Sequence, residues 1–201
     1  MAISTYTELL SAVANWLGRS DLTSRIPEFV TLAQARINRD VRAREMETKN
    51  ATFSITGEYV NLPTGFLEVK HFYLNADPRR ALEPADAGWM TSYTTSGEPK
   101  HFSVEAGQFR FSPVPSETEE ATLIYYVKPA TLVASSAETN TLFPSVAPDL
   151  YLYASLLEAE SFIQNDPRLA TWAQAYERGV AALNSTAKGS KHGGPLMTRP
   201  G

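Results

Sequence analysis

The chain has 201 residues, 43% hydrophobic and 20% charged, a composition typical of globular proteins that excludes a wholly disordered chain. Its 18 Lys and Arg against 22 Asp and Glu leave a net charge of -4, so it is not built to grip phosphate backbones over a broad surface. With 0 Cys, disulfides, thiolate metal sites and cysteine nucleophiles are excluded.

No run of about 18 apolar residues is present to span a membrane. The N-terminus carries Glu8 and no Lys/Arg-rich start, so no secretory leader is expected, and the chain reads as one made and kept in a cytoplasm.

Thr5 and Glu8 form a T-x-x-E capping box, and Leu9, Leu10, Val13, Trp16 and Leu17 follow at helical spacing up to Gly18. A second helix is expected from Pro27, with Phe29, Val30, Ala33, Ile37 and Val41 as its apolar stripe and Arg36, Arg39, Asp40, Arg42 and Arg44 opposite. From about Thr48 the apolar period drops to two. ATFSITGEYVNLP reads as a strand, a turn near Gly57 and a second strand, and GFLEVKHFYLN reads as a third. KHFSVEAGQFRFSP reads as a hairpin turning at Ala106-Gly107, and EATLIYYVKP as another strand. Eight of the 13 Pro lie between Thr48 and Val146, which favours short strands joined by turns, with PADAGWMTSY as a short helix.

Helical spacing returns at Pro148. PDLYLYASLLEAESFIQ is apolar on two sides, so it is expected to be packed on both. Asp166-Pro167 starts another helix, with Leu169, Trp172, Tyr176, Val180 and Leu183 as one stripe. Gly179 inside that helix reads either as a tolerated residue or as a point of close helix approach. After Ala187 the basic, Gly/Pro-rich KGSKHGGPLMTRPG reads as a free tail or as a partner-binding arm. The expected fold is α+β: an antiparallel helical bundle of N- and C-terminal helices, an inserted antiparallel β-domain and an extended C-terminal arm. The boundaries are 1–47, 48–147, 148–187 and 188–201.

The chemical motifs are sparse. No phosphate loop, nucleophile elbow or H-E-x-x-H is present. His71, His101 and His192 lack metal-ligand spacing and read as two half-exposed strand residues and one tail residue. Glu117, Glu119 and Glu120 read as a solvated loop tip rather than as a glycosidase carboxylate pair. Arg36, Arg39, Arg42 and Arg44 admit three readings: a solvated face, a subunit contact or a DNA contact. Asp40, Glu45 and Glu47 offset them and weaken the DNA reading.

TYTELLSAVANWLGRSDLTSRIPEFVTLAQARINRDVRAREME, EYVNLPTGFLEVKHFYL, GEPKHF and PDLYLYASLLEAESFIQNDPRLATWAQAYERG, in that order, resemble the head–tail adaptor family of podovirus-type and related tailed phages. The resemblance runs from Thr5 to about Leu183. It implies a structural virion protein of the neck, assembled in the host cytoplasm, with no reaction and no cofactor. It implies a ring, typically of twelve copies, docked on the portal protein. DNA would pass through the ring without being tightly bound, a downstream tail or nozzle protein would attach to it, and no membrane would be involved. In that family the C-terminal segment commonly helps to grip the portal, which fits the basic arm here; Lys188, Lys191, His192, Leu196, Met197 and Arg199 are its expected portal-binding residues. Arg36, Arg39, Arg42 and Arg44 are the expected subunit–subunit contacts. Another neck or tail-completion protein, or a DNA-binding accessory protein, is the alternative.

Overall fold

A computed structural model describes residues 3–92, 95–133, 140–163 and 166–189, with Lys188 and Gly189 described by backbone alone. Lys191, His192, Leu196, Met197 and Arg199 lie outside the described residues. The fold is α+β, and the chain divides into two compact units, Met1–Met46 with Pro129–Gly201, and Glu47–Lys128.

The first unit is helical. Helix α1 (Tyr6–Leu17) opens with the capping box: Thr5 Oγ1 accepts from the Glu8 N–H at 3.2 Å, and Glu8 Oε2 accepts from the Thr5 N–H at 3.0 Å. It closes at Gly18, whose φ of 66° is a conformation glycine takes without Cβ strain. Leu9, Val13 and Leu17 form its buried stripe. A 3-10 turn (Ser20–Arg25) leads into α2 (Ile26–Asp40), with Pro27 in the first turn. Its buried residues are Ile26, Phe29, Val30, Ala33, Gln34 and Ile37. Helix α2 ends one residue before Val41, which is extended and fully buried. Arg42 and Arg44 therefore do not share a helical face with Arg36 and Arg39.

Residues 129–133 and 140–147, which the sequence pattern groups with the strands, belong to the helical unit, where Asn140 accepts from the Tyr151 hydroxyl. Helix α4 (Pro148–Glu158) touches α1, α2 and α6 (Arg168–Gly189), which explains its apolar residues all round. Tyr151, the largest of its buried side chains, lies off both apolar sides expected from the sequence, Leu150, Tyr153 and Leu157 on one and Leu152, Leu156 and Ile163 on the other. The helix does not continue to Gln164. It breaks at Ala159, and a short α5 (Glu160–Ile163) follows. The break carries no Gly or Pro. Tertiary packing holds it: Phe162 sits 5.4 Å from Phe29 and under the Arg25 guanidinium.

Helix α6 starts as expected, with Asp166 Oδ1 accepting from the Arg168 N–H at 2.9 Å. It extends past Ala187 to Gly189, so the backbone of Lys188 belongs to the helix and not to an extended arm. Gly179 is a point of close approach: a Cβ there would lie 3.1 Å from Leu150 Cδ1 on α4.

The second unit consists of two four-stranded sheets sharing an aromatic core. One is ordered β1 (Glu47–Ile55), β8 (Glu119–Val127), β3 (Phe66–Leu74), β4 (Arg80–Ala81), all antiparallel. The other is ordered β2 (Tyr59–Asn61), β7 (Gln108–Ser112), β6 (His101–Glu105), β5 (Glu83–Pro84), antiparallel except for β5 with β6. The turn at Gly57 carries the chain from one sheet to the other, so the strands flanking it are not partners. The chain crosses again at buried Leu82.

Phe53 and Phe72 from the first sheet meet Phe102 and Phe109 from the second at centroid distances of 5.3 to 5.7 Å, mostly edge to face. The β6–β7 hairpin turns at Ala106 and Gly107, with φ of 46° and 80°, the two positive values of a type I′ turn. The short helix expected after Pro84 is present as α3 (Ala87–Thr91), capped by Asp86.

Candidate interaction surfaces

The arginines named from the sequence do not act alike. Arg36 lies on α2 and donates from Nε to Glu158 on α4 at 2.6 Å, with its guanidinium 5.9 Å from the Tyr176 ring. Arg42 is half-buried. Its main-chain N–H donates to Asn184 Oδ1 at 2.7 Å, and its guanidinium donates to the carbonyls of Asn38 and Val41. These two residues tie the helical unit together. Arg39 and Arg44 are exposed, and among the described residues no carboxylate pairs with either.

The end of α2 is locked from the other side as well. Tyr176 donates to Asp40 Oδ2 at 2.8 Å, and Asn184 Nδ2 donates to the Asp40 carbonyl at 2.9 Å. Burial, together with the bond to Asp40, pushes the Tyr176 phenol well above its usual range.

Three further side chains organise the units, and the sequence reading did not identify them. Asn140 is buried. Its Oδ1 accepts from the Leu142 and Phe143 N–H groups at 3.0 Å and from the Tyr151 hydroxyl at 3.2 Å, while its Nδ2 donates to the Ala130 carbonyl at 2.5 Å. Burial pushes the Tyr151 phenol up to about 12. Arg168, held by Asp166 at 2.6 Å and lying over Trp172, donates to the Trp16 carbonyl at 2.8 Å and the Leu17 carbonyl at 3.5 Å. A cation therefore satisfies the carbonyl end of α1. The Arg168 guanidinium in turn holds the Asp166 carboxyl below its usual range.

In the β unit, Arg110 is buried between Glu58 at 3.0 Å and Glu105 at 3.7 Å. Arg168 follows a visible Asp-Pro helix start. Asn140 and Arg110 sit in no pattern that distinguishes a buried polar residue from a loop or strand surface.

No group of described residues has the arrangement of a catalytic or metal centre. His71 is exposed on β3, and His101 packs edge-on against Trp89 at 5.0 Å. Among the described residues no three His, Asp or Glu cluster closely enough to hold a metal. No described helix is long and apolar enough to cross a membrane. Glu117 lies in an exposed loop as expected, but Glu119 and Glu120 head β8, in register with Ile55 and Ser54. The loop-tip reading holds for Glu117 alone: β8 begins at Glu119, one residue before the strand expected from Glu120.

What the described surface carries instead is exposed apolar area. The β unit carries a groove of 650 Å³ lined by Phe66, Val69, Phe72, Leu82, Phe102 and Val104. It lies where the sheets are incomplete. Strand β4 pairs with β3 only at Tyr73 and Leu74, and β5 pairs with β6 only at His101 and Phe102. The helical unit exposes Leu32 (51%) on α2 and Phe162 (39%) on α5.

No curated protein matches the chain. The family model described as SU10 adaptor protein matches residues 4–199, nearly the whole sequence. The match includes the helical segments, the strands between them and the C-terminal stretch, in agreement with the head–tail adaptor resemblance. The chain belongs to the SU10 adaptor protein family.

Proposed function

We propose that this protein is a structural component of the phage neck. It docks on the portal as a ring closed by heterologous contacts, of about twelve copies as the head–tail adaptor resemblance implies. The ring extends the DNA channel and presents a platform to a tail or nozzle protein. The family match over residues 4–199 carries the reading.

The physical chemistry supports it. Assembly needs polar, complementary sides rather than a reactive centre, and the described surface offers exposed arginines and exposed acids. A net charge of -4 suits a channel through which DNA slides without sticking. The C-terminal segment, with Lys188, Lys191, His192, Leu196, Met197 and Arg199, is the portal-binding arm in this reading. Its two apolar residues anchor it, and its bases steer it.

Removing residues 190–201 from the full chain tests the arm. Loss of co-sedimentation with the portal, with the helical melt unchanged, is the expected result. Unchanged portal binding would refute the arm assignment.

A further inference from the structure

The charge of the molecule is unevenly divided. Residues 47–128 carry eleven acids and seven bases, and the rest of the chain carries eleven of each, so the whole net charge of -4 resides in the β unit. Glu117, Glu119 and Glu120 gather at one end of the first sheet, and among the described residues no cation pairs with any of them. The helical unit presents the opposite feature. Arg25 at the start of α2, Leu32 and Arg39 recur at helical spacing along one exposed stripe, with Arg36 at its inner edge, bonded to Glu158 on α4.

At the centre of that stripe Leu32 is 51% exposed, and Phe162 on α5 adds a half-exposed ring beneath Arg25. Arg25 and Arg36 already have carboxylate partners, Glu28 and Glu158. Among the described residues, Arg39 at the end of the stripe and Arg44 just beyond it do not. Arginines beside a half-exposed aromatic ring are residue types enriched at interfaces.

We propose that the outward face of α2, with Leu32 at its centre and Arg39 and Arg44 at its end, docks on the Glu117–Glu120 end of the β unit in a second copy of this chain. The inference rests on the ring reading and names the surface that the arginines meet. Charge complementarity selects the occupant. The two faces are different patches of the same chain, so the contact is heterologous and propagates from copy to copy until it closes. Each unpaired arginine gains a carboxylate, and each cluster loses the self-repulsion it bears alone.

The test uses the full chain and two charge-reversed variants, Arg39→Glu/Arg44→Glu and Glu117→Lys/Glu120→Lys. Mass photometry reads the assemblies formed with the portal of the same phage. All four positions are exposed, and circular dichroism checks that both variants stay folded. Each variant alone is expected to lose ring assembly by about tenfold or more in the concentration required, the scale of a close charge pair.

An equimolar mixture of the two is expected to recover rings, because each reversed face then meets an oppositely reversed face on its neighbour. Folded variants that still assemble alone, or a mixture that does not recover, would overturn the interface while leaving the ring intact. A wild-type chain that forms no ring on the portal would remove the ring reading, and this inference with it.

Discussion

Asn140 shows how one side chain can hold a loop. The segment before α4 has no regular structure between residues 140 and 147, so its main-chain groups need partners that no ladder supplies. One carboxamide receives two N–H groups and the Tyr151 hydroxyl and donates to the Ala130 carbonyl, using both its acceptor and its donor capacity. Asn140→Ala leaves these groups buried and unpaired and is expected to lower unfolding free energy by about 3 kcal/mol, measured by urea denaturation. Asn140→Asp keeps the acceptor but loses the donor to Ala130, so a comparable loss is expected at neutral pH. Two variants with wild-type midpoints would contradict the assignment. This residue was not legible in the sequence, because a short polar residue in a Thr- and Pro-flanked segment looks the same whether it is buried or solvated.

At the scale of elements, legibility followed local chemistry. The capping box at Thr5 and Glu8, the Gly18 stop, the Asp166 start and the Ala106-Gly107 turn are each specified by residues within four positions of one another, and each is present. Features set by distant packing were missed. The break at Ala159 follows from Phe162 meeting Phe29, and the early end of α2 leaves Val41 extended but still buried. The two strands around Gly57 were legible as strands, but not as members of different sheets. Gly179, open to two readings in the sequence, lies against Leu150, which is 1% exposed. Gly179→Ala gains about 1 kcal/mol of helix propensity. The added methyl group crowds a locked side chain, and overpacking costs about 1–3 kcal/mol. A net fall in melting temperature is expected, relieved when Leu150→Val is added. A rise in melting temperature for Gly179→Ala alone would show that α4 and α6 are not closely packed there.

For the whole molecule, the family and the broad fold class could be read from ordered segments along the chain, whereas the surfaces could not. Which arginines are free depends on Glu158 and Asn184, more than 120 residues away in sequence from the groups they bind. The groove of the β unit exists because β4 and β5 are too short to cover β3 and β6. The uneven charge, the exposed α2 face and the apolar groove of the β unit are the surfaces that the proposed ring would cover. The most direct test of the adaptor reading is the mass of the full chain in solution by light scattering, alone and then mixed with the portal of the same phage. A large complex of fixed stoichiometry that appears when the portal is added is the predicted result. A chain whose mass is unchanged by the portal would contradict the account.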